Sequence, residues 1–177
     1  AARAASSRKK RNARFAGCQA IAAMIRPWRA GIAGGPYAGG VNPRLALAVS
    51  AGKLAGVAAR RAGRGGGTAL PGLVAERVDP GLVGHLASQL QRGRVTVSGT
   101  NGKTTTSRVI ASILEAAGMP YVHNREGSNL MRGLASTLLG AAGPSGAIPR
   151  AVHSFGLFEV DEATLPLAVP ELRPTVL

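Results

Sequence analysis

Residues 94–106 read RVTVSGTNGKTTT and carry the clearest structural signal in the chain. Three consecutive β-branched residues after Arg94 predict a short strand over 94–97. Glycines at 99 and 102 then predict a turn. Beyond the turn, apolar residues recur at helical spacing up to Gly118, on a predicted face formed by Val109, Ile110, Ile113, Leu114 and Ala117. A strand, a glycine-rich turn and a helix in this order predict one unit of an α/β fold.

The residue types in this turn suit a phosphate group. Gly99 and Gly102 permit backbone angles closed to other residues, so successive N–H groups can converge on an anion where a helix begins. Lys103 can reach terminal phosphate oxygens, and the Thr104 hydroxyl can ligate Mg²⁺. The general pattern G-x-x-x-x-G-K-[ST] would place a glycine where Val97 stands, so the chain has the shorter form G-T-N-G-K-T. The alternative is a turn that only joins a strand to a helix.

Acidic residues follow an apolar run near the C-terminal end. We predict one buried strand through residues 151–162, with Glu159, Asp161 and Glu162 at its end. Because ligands bind at the carboxyl ends of parallel strands, Glu159 is predicted to complete a Mg²⁺ site beside the glycine-rich turn. Asp161 and Glu162 are predicted to cap or begin the next helix, where acids complement the helix dipole. Two histidines are interpreted as structural: His123 and His153.

The remaining sequence continues the α/β pattern. Asn42-Pro43 predicts the start of a helix that runs to about Arg61, with an apolar stripe of Leu45, Ala48, Val49, Gly52 and Gly56. Asp79-Pro80 opens a second helix, with an apolar face of Leu82, Val83, Leu86 and Leu90. Further predicted elements are strands over 120–122 and 174–177 and a helix over 128–139. The predicted fold class is α/β, with a mostly parallel sheet of the phosphate-loop type flanked by helices.

The first predicted helix permits two interpretations. Its apolar stripe is typical of a helix packed against the rest of a domain. Its cations, Lys53, Arg60 and Arg61, also suit a helix that lies on an anionic membrane surface. The sequence leaves both open.

Positive charge is concentrated at the N-terminal end. The chain has 177 residues, with 22 Lys and Arg, 8 Asp and Glu, and a formal charge of +14. Residues 1–64 hold 13 of the cations and none of the acids. We interpret residues 1–40 as a low-complexity basic arm, either disordered or not native to the protein. Such an arm can bind nucleic acid by counterion release, but its aromatic residues are too scattered to stack on bases: Phe15, Trp28 and Tyr37.

Composition excludes several classes of protein. Cys18 is the single cysteine, which excludes an internal disulfide framework and a multi-Cys zinc site within these residues. No apolar run has the length of a transmembrane helix, and the first residues lack the order of a signal peptide, so we expect a cytoplasmic protein. The chain begins with Ala-Ala and ends in the strand-like Pro174–Leu177, and we interpret it as part of a longer protein.

GTNGKTTT at residues 99–106 resembles the ATP loop of the Mur ligase superfamily. The related folylpolyglutamate synthases usually carry Gly-Lys-Gly-Ser, so Thr104 and Thr105 favour the Mur side. The segment between Val41 and Gly99 is too short for the UDP-binding domain of the Mur ligases that act on UDP-sugars. Three further stretches are similar to the MurT family, and with the loop they extend the resemblance over about residues 45–177: residues 63–72, 123–133 and 158–163.

The resemblance implies an ATP-dependent ligase subunit of lipid II isoglutaminyl synthase. In this family the subunit phosphorylates the α-carboxylate of D-glutamate in lipid II, and ammonia from a GatD-type glutaminase subunit displaces the phosphate to give D-isoglutamine. The resemblance implies ATP binding by Gly99, Thr100, Asn101, Gly102, Lys103, Thr104 and Thr105. It implies Mg²⁺ binding by Thr104 and Glu159, and a place near the nucleotide or substrate for Asn129. Lipid II as substrate implies a peripheral position at the inner face of the membrane, and no nucleic-acid partner is expected.

The family also has parts without a counterpart in this sequence. Its four-Cys zinc ribbon and its catalytic Asp would lie beyond Leu177, so zinc is expected only with that further sequence. We expect no catalytic residue within the chain and no amidation by the chain alone. The predicted organisation is a basic arm over 1–40, a helical lead-in over 41–93 and the start of the central ATP-binding domain over 94–177.

Two other functions stay open on the sequence. One is a non-catalytic ATP-binding module, which a downstream sequence without a zinc ribbon or ligase domain would favour. The other is a basic nucleic-acid-binding protein that acts through residues 1–40. Loss of salt-sensitive DNA binding on deletion of that arm would favour the second.

Overall fold

The computed structural model describes residues 42–61, 69–124 and 130–177. Their centre is a parallel sheet of three strands: β1 (Arg94–Val97), β2 (Tyr121–His123) and β3 (Phe155–Glu159). β3 lies in the middle, and its last residue, Glu159, pairs with Val97 at the end of β1. The predicted α/β class with a parallel sheet is confirmed. The predicted basic arm over 1–40 lies outside the described residues.

Helices flank this sheet in the described part of the chain: α1 (Pro43–Arg61), α2 (Ala69–Val78), α3 (Leu82–Ala87), α4 (Lys103–Ala116), α5 (Met131–Ala141) and α6 (Leu165–Leu172). α4 connects β1 to β2, and α5 connects β2 to β3. After α6 the chain returns to the edge strand β1, where Val176 forms a parallel bridge with Val95. The strand predicted over 174–177 is present as this bridge.

The sheet separates two apolar layers. Leu157 and Phe158 are both fully buried and, as neighbours on β3, point to opposite faces. Phe158 belongs to the larger layer, to which every helix except α4 contributes buried residues. α4 contacts all three strands, and its buried residues are Ser107, Ala111 and Leu114. Because the strands are parallel, their carboxyl ends meet at one edge of the sheet, next to the start of α4.

α1 begins and packs as predicted. The Asn42 side-chain oxygen accepts hydrogen bonds from the N–H groups of Arg44 at 3.1 Å and Leu45 at 3.3 Å, which caps the helix. Its buried residues are the predicted stripe: Leu45, Ala48, Val49, Gly52 and Gly56. The packing interpretation of this helix is confirmed.

Two helices before the sheet differ from the prediction. α2 was not predicted, because its first turn contains Pro71 and Gly72, which are poor helix formers. A proline is tolerated in a first turn, and Gly72 lets the backbone of α2 approach Arg132 and Ser136 on α5 closely. α3 is shorter than predicted, but the four apolar residues assigned to it are all buried: Leu82, Val83, Leu86 and Leu90.

The predicted apolar face of α4 is confirmed at Leu114, which is buried, and wrong at Val109 and Ile113. Val109 is 56% exposed and Ile113 is 40% exposed, whereas Ser107 is fully buried. The helix is rotated so that Thr104 and Ser107 face the end of β3, where both bond to one carboxylate. The hydrogen bonds of Thr104 and Ser107 at the start of the helix therefore determine which side of α4 meets the sheet.

The continuous strand predicted over 151–162 is also wrong in its first part. A 3₁₀ turn occupies Ala151–His153, and the strand begins only at Phe155. Ser154 closes the turn, because its hydroxyl donates to the Arg150 carbonyl at 2.8 Å. The helix predicted over 128–139 begins at Met131, and the strand predicted over 120–122 lies one residue later.

Within the three described ranges, no helix has both the length and the apolar character needed to cross a membrane.

Candidate functional site

The glycine-rich turn follows β1 at the carboxyl edge of the sheet. Gly99 has a φ of +148° and Gly102 a φ of +81°, values that L side chains rarely adopt. Gly102 immediately precedes α4, and apart from its two chain neighbours no residue has an atom within 4 Å of the position that a Cβ on it would occupy. The first N–H groups of α4 have no acceptor within the helix. The turn therefore presents main-chain donors beside open space, an arrangement that fits an anionic group.

Lys103 is the first residue of α4 and its side chain folds back over the turn. Its Nζ donates to the Gly99 carbonyl at 2.6 Å and lies 3.2 Å from Oδ1 of Asp161 and 3.9 Å from Oε2 of Glu162. The prediction that these two acids cap or begin the next helix is wrong, because α6 begins at Leu165 and its N-cap residue is Thr164. They occupy the turn after β3 and provide carboxylates to the loop lysine.

The turn that follows β3 also contacts Thr100 of the glycine-rich turn. The pKa of Glu162 lies below its ordinary value, first because its own backbone N–H donates to the carboxylate and next because the Thr100 hydroxyl does so. The positive charge of Lys103 lowers this pKa further. Two residues of the glycine-rich turn, Thr100 and Lys103, are thus held by the turn that follows β3.

Glu159 lies buried at the end of the central strand, beneath the start of α4. Its Oε2 accepts a hydrogen bond from the Thr104 hydroxyl at 2.9 Å. Its Oε1 accepts a bond from the Ser107 hydroxyl and lies 3.4 Å from Nε2 of His123. The two residues predicted to bind Mg²⁺, Thr104 and Glu159, are therefore in direct contact, and their role as metal ligands stays a prediction.

Asn124 fixes the backbone of this carboxylate and was missed from the sequence. Its Oδ1 accepts from the Glu159 N–H at 2.8 Å, and its Nδ2 donates to the Glu159 carbonyl at 2.7 Å. Asn124 is buried and directly follows β2, so the pair ties the ends of two neighbouring strands together. Its position after a strand, at the edge where ligands bind, was the available sequence signal.

The predictions for the two histidines and for Asn129 have different outcomes. His123 is buried against Glu159 and so belongs to the surroundings of the carboxylate. His153 lies in the 3₁₀ turn and is exposed to solvent. Asn129 lies outside the described residues.

These oxygen donors fit a hard divalent cation. Mg²⁺ prefers carboxylate and hydroxyl oxygens, and a threonine that donates its proton to Glu159 keeps its lone pairs available for a metal. Lys103 and the main-chain donors of α4 supply positive potential at the same edge. The residues present thus fit a phosphate group together with Mg²⁺.

Curated relatives resemble the chain over most of its length. It is 36% identical over 130 residues to a protein of Staphylococcus aureus strain COL, "Lipid II isoglutaminyl synthase (glutamine-hydrolyzing) subunit MurT", covering 73% of this chain and 28% of that protein. The protein of the same name from S. aureus strain N315 gives the same values. The one from Streptococcus pneumoniae strain R6 is 30% identical over 136 residues, covering 77% of this chain and 28% of that protein.

No protein-family model matches the sequence. The chain spans about 28% of the length of the curated relatives it matches. Over that span the predicted resemblance is confirmed, and the chain is a homologue of the MurT subunits of lipid II isoglutaminyl synthases.

Proposed function

We propose that this chain supplies the Mg²⁺- and ATP-binding part of a ligase subunit that amidates lipid II. The observation that carries the proposal is the contact between Thr104 and Glu159 beneath the G-T-N-G-K-T turn, with 2.9 Å between Oγ1 and Oε2. A hydroxyl and a buried carboxylate at this distance supply two oxygen donors for a cation next to the proposed phosphate site. The names of the curated relatives support lipid II amidation as the reaction.

Different residues of the turn bind different parts of Mg·ATP. The N–H groups that follow Gly102 bind phosphate oxygens, and Thr104 and Glu159 hold Mg²⁺. When bound, Mg²⁺ neutralises charge on the phosphates and so makes the terminal one easier to transfer. Lys103 leaves Asp161 and Glu162 and turns its ammonium to the phosphates, exchanging one set of oxygens for another. Asn124 and Ser107 hold Glu159 in place throughout.

ATP is needed because a carboxylate is a poor electrophile. In the proposed reaction, an oxygen of the D-glutamate α-carboxylate attacks the γ-phosphorus of ATP, and ADP leaves. Ammonia then attacks the carbonyl carbon of the acyl phosphate, inorganic phosphate leaves with the C–O electron pair, and the nitrogen loses a proton to give the amide. Stabilising the negative charge on the transferred phosphoryl group is the task of the cationic turn.

The wider setting of the reaction belongs to the same proposal. Ammonia comes from a GatD-type glutaminase subunit, and lipid II is met at the membrane surface, where the protein is peripheral. We propose further that residues 1–177 alone bind nucleotide without amidating lipid II. The divisions at 40/41 and 93/94 stay predictions.

Replacing Lys103 tests the proposed role of the turn. We expect Lys103→Ala to weaken Mg·ATP binding by about 10- to 100-fold, because a hydrogen bond to a charged group contributes about 1.5–3 kcal/mol. Displacement of a fluorescent ATP analogue from the full chain measures the affinity. The matched control is Lys53→Ala, which removes a cation from α1 and is expected to leave the affinity unchanged. Equal affinity of Lys103→Ala and the unchanged chain would refute the assignment.

A further inference from the structure

α1 has a second apolar surface, on the side away from the core. Leu47 is 62% exposed and Leu54 is 70% exposed, although the helix buries a full stripe elsewhere. Residues four, seven and eleven apart lie on one side of a helix. Leu47 therefore shares one side of the helix with Ala51, Leu54 and Ala58, opposite the buried stripe. We call these four residues the outer stripe.

The charge of α1 is entirely positive. The helix contains Arg44, Lys53, Arg60 and Arg61 and no Asp or Glu. The first acid anywhere in the sequence is Glu76, and residues 1–41 add eight further Lys and Arg. An exposed apolar stripe thus lies within the most basic part of the chain.

We propose that the outer stripe of α1 and the two exposed cations beside it, Arg44 and Arg61, bind an anionic lipid bilayer, with the helix lying in the plane of the interface. A helix of this kind inserts its apolar side chains among the acyl chains while its cations meet the headgroups. The attraction of each Lys or Arg near such a surface adds to the affinity. The inference rests on the proposed function, because it assigns a surface to the peripheral position required by a lipid substrate.

The composition of this surface distinguishes a bilayer from two other partners. Nucleic acid needs the cations but leaves two exposed leucines without a role. A second copy of this chain would place the cations of one α1 near those of the other. An anionic bilayer satisfies the leucines and the cations together, so the observations favour it.

Vesicle sedimentation of the full chain tests the proposal. We expect stronger binding to vesicles that contain phosphatidylglycerol than to vesicles of phosphatidylcholine alone. Leu47→Gln/Leu54→Gln is expected to weaken binding about tenfold or more, since two exposed apolar side chains lose their transfer into the interface. The matched control is Val109→Gln/Leu167→Gln, which removes two side chains of similar exposure, 56% and 65%, from other helices. Its binding is expected to stay unchanged.

A charge variant tests the second half of the surface. Arg44→Gln/Arg61→Gln, which removes the two cations beside the outer stripe, is expected to weaken binding to the anionic vesicles about tenfold or more. Arg77→Gln/Arg108→Gln, which removes two exposed cations from α2 and α4, is the control with the same change in net charge. An equal loss in both variants would show attraction by net charge alone and would overturn the assignment to α1.

A second leucine variant and two further measurements also test the proposed membrane contact. Leu47→Ala/Leu54→Ala keeps strong helix formers at both positions, so it is expected to reproduce the loss with the fold intact. Unchanged vesicle binding in both leucine variants would overturn the proposal. A leucine-dependent dimer seen by light scattering, or leucine-independent binding of duplex DNA in place of vesicles, would do the same. Mg·ATP affinity measured on the same variants separates this inference from the proposed function, because vesicle binding and nucleotide binding can then fail independently.

Discussion

Replacing Glu159 with Gln is expected to weaken Mg²⁺-dependent ATP binding by about 100-fold. The substitution keeps the size of the side chain and an oxygen that can accept a bond from Thr104, but it removes the negative charge. A neutral amide is a much poorer ligand for Mg²⁺ than a carboxylate. The expected loss therefore falls on the Mg²⁺-dependent part of the affinity, which titrations with ATP at several Mg²⁺ concentrations measure.

Glu115→Gln is the matched control for this variant. Glu115 lies in the last turn of α4, far along the helix from the glycine-rich turn, and accepts a hydrogen bond from the Tyr121 hydroxyl. Its glutamine variant keeps an acceptor and loses the same charge, so its Mg²⁺ dependence is expected to stay unchanged. Thermal unfolding of both variants checks that the fold is retained. If Glu159→Gln kept the Mg²⁺ dependence of the unchanged chain, Glu159 would not be a metal ligand.

A substitution at Gly52 is expected to have the largest effect on stability. A Cβ at Gly52 would lie 2.7 Å from the Pro71 carbonyl oxygen, 2.8 Å from Cδ2 of Leu139 and 2.9 Å from Cβ of Ala75. Real Cβ atoms do not approach other atoms this closely, so α1 and α2 must move apart. We expect Gly52→Ala to lower the free energy of unfolding by about 2 kcal/mol, the usual cost of overpacking a core.

Gly140→Ala provides the opposite case on another helix. Gly140 is in α5, and apart from its chain neighbours and the nearby backbone of that helix no atom lies within 4 Å of a Cβ built on it. Alanine has a higher helix propensity than glycine, so this variant is expected to gain about 0.5–1 kcal/mol. Urea unfolding of the two variants and the unchanged chain measures both effects. A gain in stability in Gly52→Ala would mean that α1 and α2 do not pack as described.

Features encoded by neighbouring residues were predictable from the sequence. The cap at Asn42, the buried stripe of α1 and the strand Arg94–Val97 each depend on residues close together in the chain. The glycine-rich turn belongs to the same class, since its positive φ angles occur at the two glycines that were singled out. Local signals of this kind act before any long-range contact forms.

Most features set by distant contacts were not predictable, although the position of Glu159 at a strand end did place it beside the glycine-rich turn. Ser107 and Glu159 are 52 residues apart, and Asn124 and Glu159 are 35 apart, so no local pattern reveals that they meet. The same long-range hydrogen bonds orient α4 so that its most apolar face does not meet the sheet. Asp161 is another example. The local sequence favours the start of a helix at this residue, but its carboxylate instead pairs with the nearby ammonium of Lys103.

Isothermal titration calorimetry of ATP into the unchanged chain tests the central claim most directly. The claim is that the turn around Gly102, together with Thr104 and Glu159, binds the phosphates of ATP through Mg²⁺. With Mg²⁺ present, we expect heat from a single saturable site, and with EDTA in place of Mg²⁺ we expect much weaker binding. Absence of heat in the presence of Mg²⁺, or equal binding with and without it, would contradict this role of the turn, Thr104 and Glu159.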